Sequence, residues 1–281
     1  MNIAAIIVTY NPKLSRFIKV FNSVSNQVNG IVIVDNNSQN KEVIKSICND
    51  VDVCVFIEIG FNSGIAYALK VGINHAVNHF NCKWILLLDD DTILLEGAID
   101  KAFKIFENLP SLLKNRIGLI ALTSVNGDCK IQRVVYGIFS GSIVKSDVAI
   151  KACCRDNFFL DQADFDFYAK IRELGYLTLL IKCKLIDHKL GTLLWIPVIS
   201  NIAGRPLPYE LPWRFYYLVR NSSILLKEGK MDFRFYITQI FGWGIKILFK
   251  DGFRKFIKPL SLGILHALLN REGFLAPIIF E

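Results

Sequence analysis

The first third of the chain alternates short apolar runs with segments of helical periodicity. The apolar runs cover residues 3–10, 30–38, 51–58 and 83–91, and polar residues close each of them. Between these runs, residues 14–24 and 64–77 repeat apolar side chains at the spacing of an α-helix. The pattern predicts strands that alternate with helices.

The predicted strands are continuously apolar, which indicates that both of their faces are covered. A mostly parallel sheet with helices on either side, an open α/β fold, has this pattern. In such sheets ligands bind beyond the carboxyl ends of the strands. Polar residues collect at three of these ends, in residues 9–11, 35–38 and 89–91. We expect the functional site along this edge of the sheet.

The pattern changes beyond residue 118. Short strand-like runs with glycine turns come first, then an acidic segment, FFLDQADFDFYAKIRELGY, and finally an apolar, aromatic and basic stretch. We predict one domain over residues 1–200 and a helical extension over residues 201–281. No apolar run reaches the ~20 residues of a spanning helix. The first residues lack the basic region and cleavage site of a signal peptide, so we expect neither feature.

Composition narrows the picture. The chain has 281 residues, 52% of them hydrophobic, which is enough for a sizeable core. Its seven cysteines are scattered, odd in number and without a CxxC pair. This distribution disfavours a disulfide framework and a zinc site, and it favours a reducing compartment.

Positive charge is concentrated late in the chain, whose formal net charge is +8. Lys250, Arg254, Lys255 and Lys258 lie close to a single acid, Asp251. Such a run is often only a solvated face. The Phe, Ile and Leu residues around it favour peripheral association with an anionic membrane, and no nucleic-acid partner is expected.

Three consecutive aspartates follow the buried run WILLL. Because side chains alternate along a strand, Asp89 and Asp91 are expected on one side and Asp90 on the other. Two carboxylates at a strand end suit a hard divalent cation that also takes phosphate oxygens and water. The alternative is that Asp89 or Asp90 caps the following helix.

Several motifs in order resemble family 2 glycosyltransferases of the GT-A fold, from about residue 3 to residue 273. They are VTYNP, VDNNS, NSGIAYALKVGI, LLLDDDT, FSGSIV and FFLDQADFDF, followed by GY and DH. The later RFYYLVRNS and ILHALLNREG resemble the rhamnosyltransferase-like branch. The resemblance implies a GT-A catalytic domain with a C-terminal helical extension.

The resemblance also implies roles for the residues that bind the donor. The triple Asp matches the DxD element, with Asp91 as a ligand of Mn²⁺ or Mg²⁺ and Asp89 facing the ribose or sugar, and Asp90 is grouped with the donor-binding residues. His188, in the motif DH, matches a second metal ligand, although a lone histidine is more often structural. The remaining donor-binding positions are Thr9, Asn11, Asp35, Asn62, Gly64 and Lys70, the last of which replaces an asparagine that is usual in the family. Gly64 could equally be an ordinary loop-to-helix turn.

The acidic segment is expected to begin a helix, whose dipole favours carboxylates in its first turn. By resemblance, Asp164 matches the general base that deprotonates the acceptor hydroxyl, and Asp161 and Asp166 position hydroxyl groups. Asp161 could instead be the base. The chemistry implied is in-line attack on the anomeric carbon with inversion of its configuration.

The resemblance implies a cytoplasmic enzyme that takes a nucleotide-sugar donor and a glycan or polyprenyl-linked glycan acceptor. The resemblance to the rhamnosyltransferase-like branch favours dTDP-rhamnose as the donor, whereas relatives also use UDP-hexoses and UDP-galactofuranose as donors. A non-catalytic α/β module that binds nucleotide or membrane is the alternative, and it leaves the second acidic cluster and His188 unexplained. A phosphohydrolase is disfavoured because its DxD would close the first strand, which here ends in TYNP.

Overall fold

The computed structural model describes residues 2–188, 191–276 and 279. The described residues form two compact units. The first takes residues from 1–155 and 167–188, and the second takes residues from 156–166 and 189–281. The first unit runs to His188, and the second unit includes residues 158–166, the first nine of the nineteen residues of the acidic segment.

The strands of the first unit form one large mixed sheet and a small antiparallel pair. The strands are β1 (Ile3–Thr9), β2 (Gly30–Asp35), β3 (Cys54–Glu58), β4 (Trp84–Asp89), β5 (Ile93–Leu94), β6 (Ile117–Thr123), β7 (Lys130–Arg133), β8 (Ser142–Lys145), β9 (Leu177–Lys184) and β10 (Ile186–Asp187). The large sheet has the order β3-β2-β1-β4-β8-β6-β9-β7, and β5 pairs with β10.

Helices flank this sheet. They are α1 (Leu14–Ser25), α2 (Lys41–Asn49), α3 (Ile65–Phe80), α4 (Ala98–Glu107), α5 (Ser111–Arg116), α6 (Ser146–Ala152) and α7 (Ala163–Glu173), the last of which begins in the second unit. The second unit continues with β11 (Thr192–Leu194), α8 (Ile199–Ala203), β12 (Leu207–Tyr209), α9 (Pro212–Lys227), α10 (Phe233–Asp251) and α11 (Phe253–Leu268).

Strands β1 to β4 are parallel and almost completely apolar because helices cover both of their faces. Ile3, Ala5 and Ile7 pack into a core with α1, α2 and α4. On the opposite face α3 approaches so closely that a Cβ atom on Gly72 would lie 2.6 Å from Cγ2 of Ile6. This arrangement confirms the predicted α/β class with a mostly parallel sheet.

The second unit is built around α9. Phe215 and Val219 of this helix belong to a core that also contains Ile240 and Ile247 of α10. On α11, a Cβ atom added to Gly263 would lie 2.7 Å from Cγ1 of Val219, so glycine permits close packing of these two helices. The helices predicted between residues 213 and 269 are therefore present.

The structure brings six of the seven cysteines together in pairs, which their spacing in the sequence did not predict. The structure pairs Cys48 with Cys54, Cys129 with Cys183 and Cys153 with Cys154, and Cys82 is buried as a free thiol. Cys129 and Cys183 are 54 residues apart, yet their Cα atoms are 4.5 Å apart because β7 and β9 are neighbours. Spacing along the chain does not reveal this proximity.

Within the described ranges, none of the helices combines the length and apolar character needed to cross a membrane.

Candidate active site

Parallel register brings the polar strand ends to one edge of the sheet. Thr9 pairs with Asp35 across β1 and β2, and Val8 pairs with Asp89 across β1 and β4. The carboxyl ends of these three strands are therefore level with one another, as the sequence predicts. This is the edge at which open α/β sheets bind ligands.

A cluster of metal-binding groups lies at this edge. Asp89, Asp91 and His188 each offer one ligand atom, and these atoms all lie within 4.8 Å of one another. Nδ1 of His188 is 3.3 Å from Oδ1 of Asp91. The Asp91 side chain is 50% exposed and the His188 side chain 9%, so a cation here would be open to a ligand on the Asp91 side. Two carboxylates and one imidazole suit Mn²⁺ or Mg²⁺.

Arg16 connects the two chain segments that carry this cluster. Its Nε donates to the backbone oxygen of Asp91 at 2.8 Å, and its Nη2 donates to the backbone oxygen of Asp187 at 2.8 Å. Its Nη1 also donates to the Asp187 carboxylate at 2.9 Å. The planar guanidinium thus holds the turn after β4 beside the strand that leads to His188.

Two buried hydroxyl groups support the histidine. Oγ1 of Thr92 lies 2.6 Å from Nδ1 of His188, and Ser140 donates to Oγ1 of Thr92 at 2.7 Å. The backbone N–H of Asp89 donates to Oγ of Ser140 at 3.0 Å. These contacts fix the orientation of the ring, as partners of a metal-binding histidine do.

Charge within the cluster shifts both pKa values. Burial acts to raise the pKa of Asp91, but the hydrogen bond and charge of His188, together with Arg16, outweigh it and lower that pKa. Burial acts to lower the pKa of His188, but the hydrogen bond that its ring donates to Asp91 and the charges of Asp89 and Asp91 outweigh burial, so that the pKa of His188 is raised. Both shifts follow from the closeness of the imidazole to the two carboxylates.

Asp90 lies apart from the cluster. The backbone N–H of Tyr10 donates to its Oδ2 at 3.2 Å, so this carboxylate ties the end of β4 to the end of β1. Burial raises the pKa of Asp90 to about 7, and the charges of Asp89 and Asp91 add to the rise.

The ends of β1 and β2 interlock where the nucleobase pocket is expected. Thr9 donates to Oδ1 of Asp35 at 2.8 Å, and the N–H of Ser38 donates to Oδ2 at 2.8 Å. Asn11, with a φ of 51°, accepts a hydrogen bond from the N–H of Gln39 at 2.7 Å. Thr9 and Asp35 are both completely buried. Each carboxylate oxygen of Asp35 already accepts one hydrogen bond and has a lone pair left for a nucleobase.

The loop before α3 is tied to the same strand ends. Asn36 donates to Oδ1 of Asn62 at 3.1 Å, and it accepts from the N–H of Ser63 at 2.7 Å. Gly64 has a φ of 81° and donates its N–H to Oδ1 of Asn62 at 3.2 Å, so glycine suits this entry into the helix. Lys70 lies on α3 and is partly buried.

The acidic residues of the second unit have different surroundings. Asp161 accepts from Nη2 of Arg214 at 2.8 Å, and Asp166 is completely buried and 3.0 Å from Nζ of Lys230. Asp164, in the first turn of α7, is partly buried and accepts from the N–H of Phe165 at 2.9 Å.

The backbone before Asp164 is unusual. Asp161 and Gln162 are both left-handed, with φ values of 54° and 64°. The side-chain amide of Asn221 stabilises this turn by donating to the backbone oxygens of Leu160 and Asp161 at 2.8 Å and 2.9 Å. Consecutive left-handed residues that other side chains hold in place are typical of functional segments.

Sequence reasoning missed the supporting residues of both acidic clusters. Arg16, Thr92 and Ser140 surround the metal-binding groups, and Arg214 and Asn221 hold the turn at Asp161. Thr92 and Ser140 lie in quoted motifs but were not assigned a role. Arg16 gave no signal, because a single arginine on an amphipathic helix looks like a solvated residue.

A separate groove of about 690 Å³ lies away from this edge, between the end of α1 and α4. Ile3 and Asn29 line it, and these residues lie at the amino ends of β1 and β2. It is therefore at the opposite edge of the sheet from Asp89, Asp91 and His188.

We expect His188→Ala to weaken Mn²⁺ binding by about 10- to 100-fold, and Thr92→Val to weaken it by a smaller factor, because the ring loses its partner. Electron paramagnetic resonance of free Mn²⁺ measures this affinity without any substrate. His266→Ala is the control, since His266 is bonded to Tyr216 in the second unit. Equal Mn²⁺ affinity in the native and His188→Ala proteins would contradict the assignment of His188 as a ligand.

Comparison with known proteins agrees with this geometry. Residues 4–113 match the family model for Glycosyl transferase family 2. The chain is 25% identical over 258 residues to "dTDP-rhamnosyl transferase RfbF" of Shigella flexneri, covering 85% of this chain and 84% of that protein.

Two solved structures share the fold at low sequence identity. S. aureus TarS 1-349 matches with a TM-score of 0.58 and 13% identity, covering 96% of this chain and 82% of that one. The chain spans 44% of a longer TarS structure. The mannosyltransferase PcManGT from Pyrobaculum calidifontis, in complex with GDP-Man and Mn²⁺, matches with a TM-score of 0.54 and 15% identity, covering 98% and 76% of the two chains.

The family match covers the strands and the Asp89–Asp91 turn that build the site, and the curated relative extends the similarity over most of the chain. The chain is a glycosyltransferase with the GT-A fold that carries a family 2 glycosyltransferase domain at residues 4–113 and is similar over most of its length to a dTDP-rhamnosyl transferase.

Proposed function

We propose that this glycosyltransferase moves rhamnose from dTDP-rhamnose to a glycan or lipid-linked glycan, with inversion at the anomeric carbon and dependence on a divalent cation. The observation that carries the proposal is the cluster of Asp89, Asp91 and His188 at the carboxyl edge of the sheet. The donor follows from the similarity to a dTDP-rhamnosyl transferase.

Asp89, Asp91 and His188 would hold Mn²⁺ or Mg²⁺, for which their donor set is suited. A cation bound there would neutralise the charge that grows on the diphosphate as the sugar leaves. Arg16 keeps the two ligand-bearing segments together, and Thr92 orients the imidazole. The similarity in fold to a mannosyltransferase in complex with GDP-Man and Mn²⁺ supports this assignment.

In this proposal the nucleoside lies against the ends of β1 and β2, where Thr9, Asn11 and Asp35 are ordered by mutual hydrogen bonds with residues 38 and 39. Preformed polar loops lose little freedom when they bind a ligand. Asn62 and Gly64 add backbone that the nucleotide can approach closely, and Lys70 supplies a positive charge for a phosphate.

Asp164 is proposed as the base that removes the proton from the acceptor hydroxyl. Among the three acidic side chains, Asp166 is completely buried and Asp161 is engaged by Arg214, whereas Asp164 is partly exposed in the first turn of α7. The attacking oxygen forms a bond to the anomeric carbon as the bond to the diphosphate breaks, which inverts the configuration. Asp161 and Asp166 then help to shape the segment around the acceptor.

The acceptor is proposed to be a glycan or a polyprenyl-linked glycan at the cytoplasmic face of a membrane. A cytoplasmic location implies that the cysteine pairs of the structure are thiols in the cell, since that compartment keeps cysteines reduced. Nucleic acid is not a proposed partner.

Isothermal titration calorimetry with dTDP, UDP and GDP, each with and without Mn²⁺, tests the proposed donor. We expect dTDP to bind most tightly and only when Mn²⁺ is present, because a cation held by Asp89, Asp91 and His188 would neutralise the negative charge of the diphosphate. Tighter binding of UDP would move the donor to a UDP-hexose or UDP-galactofuranose. A folded protein that binds none of the three with Mn²⁺ would refute the proposed donor site and leave the non-catalytic alternative.

A further inference from the structure

The second unit exposes several large apolar side chains around the junction of α10 and α11. Phe241 is 68% exposed and Phe253 is 64% exposed, and Ile245, Phe249 and Ile257 are exposed as well. We call these five residues and their basic neighbours Lys250, Arg254, Lys255 and Lys258 the α10–α11 face.

The exposed apolar residues follow the helical repeat. Phe241, Ile245 and Phe249 are four residues apart on α10, and Phe253 and Ile257 are four residues apart on α11. Side chains at this spacing lie along one side of a helix. Each helix therefore presents one apolar line to solvent.

The inner sides of the same helices are buried in the core of the second unit. Ile240 and Ile247 of α10 pack with Val219 of α9, and Gly263 of α11 lies against Val219 as well. The exposed lines cannot turn inward without breaking this packing. Their exposure is a stable property of the fold.

The charge next to the apolar residues indicates what covers them. Lys250, Arg254, Lys255 and Lys258 are all exposed, and Asp251 is the single acid between residues 249 and 259. Exposed phenylalanines would not stabilise a surface that only faces water. An apolar contact between two copies of the chain would bring these positive charges close together, where they repel. Phenylalanine and isoleucine next to lysine and arginine match a surface of anionic lipid headgroups above acyl chains.

We propose that the α10–α11 face docks on the surface of an anionic membrane, with its apolar side chains at the level of the headgroups. This deepens the proposed function, because it would bring the enzyme to a lipid-linked acceptor. The docking itself does not depend on the sugar-transfer reaction, so it can be measured separately.

Sedimentation with vesicles tests the proposal. We expect the full chain to sediment at low salt with vesicles of phosphatidylcholine and phosphatidylglycerol, to bind vesicles of phosphatidylcholine alone more weakly, and to be released as salt is raised. Phe241→Ser with Phe253→Ser, and separately Lys255→Glu with Lys258→Glu, should each lower vesicle partitioning by about tenfold or more. Leu112→Ser is the matched control, since Leu112 is 85% exposed on α5 in the other unit.

Metal-dependent nucleotide binding is measured on each variant in parallel. Retained nucleotide binding with lost vesicle binding supports the proposal and shows that the first unit is folded, and circular dichroism of the variant checks the helices of the second unit. Failure of the native chain to bind anionic vesicles, or an equal loss of vesicle binding in Leu112→Ser, overturns the proposal.

Sedimentation velocity tests the alternative that a second copy of the chain covers this face. A native chain that is a dimer and binds no vesicles, with a phenylalanine variant that is a monomer, would support that alternative and overturn the proposal. If the chain binds vesicles but no nucleotide, the donor proposal fails and the docking proposal stands.

Discussion

Asp91→Asn is expected to abolish the Mn²⁺-dependent part of dTDP binding, a loss of at least about 100-fold. Asparagine keeps the size of the side chain but removes the charge that a hard cation requires. The half-exposed Asp91 carboxylate lies 3.3 Å from Nδ1 of His188, so its replacement also removes a negative charge beside the imidazole. Titration calorimetry with and without Mn²⁺ measures the effect.

Asp52→Asn provides the control for this experiment. Asp52 is exposed in the turn before β3, and it undergoes the same chemical change in the same unit. It should bind Mn²⁺ and dTDP like the native protein. Unchanged metal-dependent binding in Asp91→Asn would remove Asp91 from the metal site.

Asp164→Asn is expected to lower kcat by about 10²- to 10⁴-fold while dTDP binding in the presence of Mn²⁺ stays nearly intact. The amide cannot accept the proton of the acceptor hydroxyl. The Asp164 side chain belongs to the second unit, and the proposed metal ligands belong to the first, so the two functions are carried by separate parts of the chain. Rate measurement and calorimetry on the same preparation separate turnover from donor binding.

Asp161→Asn distinguishes the alternative base. Its carboxylate accepts from Nη2 and Nε of Arg214, at 2.8 Å and 3.3 Å, so its replacement should disturb the left-handed turn at residues 161 and 162. We expect a smaller loss of kcat than in Asp164→Asn. Full turnover in Asp164→Asn together with inactive Asp161→Asn would assign the base to Asp161.

Much of the fold could be predicted because hydrophobic periodicity is a local signal. The apolar runs and the helical spacing located β1, β2, β3, β4, α1 and α3 to within a few residues. Helix α2 was not singled out, because residues 41–49 form a short segment that is polar overall and buries only Ile44 and Cys48. The antiparallel placement of β8 between β4 and β6 also has no local signal, since strand order depends on contacts distant in sequence.

The candidate site was predictable where its residues lie at strand ends in recognisable motifs. Asp89, Asp91 and His188 were each singled out, but their approach to within 4.8 Å depends on folding, because His188 is nearly one hundred residues further along the chain. The sequence interpretation assigned Asp89 to the ribose or sugar, whereas the structure places its carboxylate with the other two ligand groups.

The amino-acid sequence by itself determined the α/β class, the edge of the sheet that carries the site and the acidic residue types of the two clusters, because these depend on local periodicity and side-chain chemistry. Tertiary structure decided which groups meet. Arg16, Thr92 and Ser140 support the metal-binding cluster, Arg214 and Asn221 support the turn before Asp164, and three pairs of cysteines come together. It also decided which side of α10 and α11 faces the solvent, since burial depends on how the helices pack and not on the order of residues within either one.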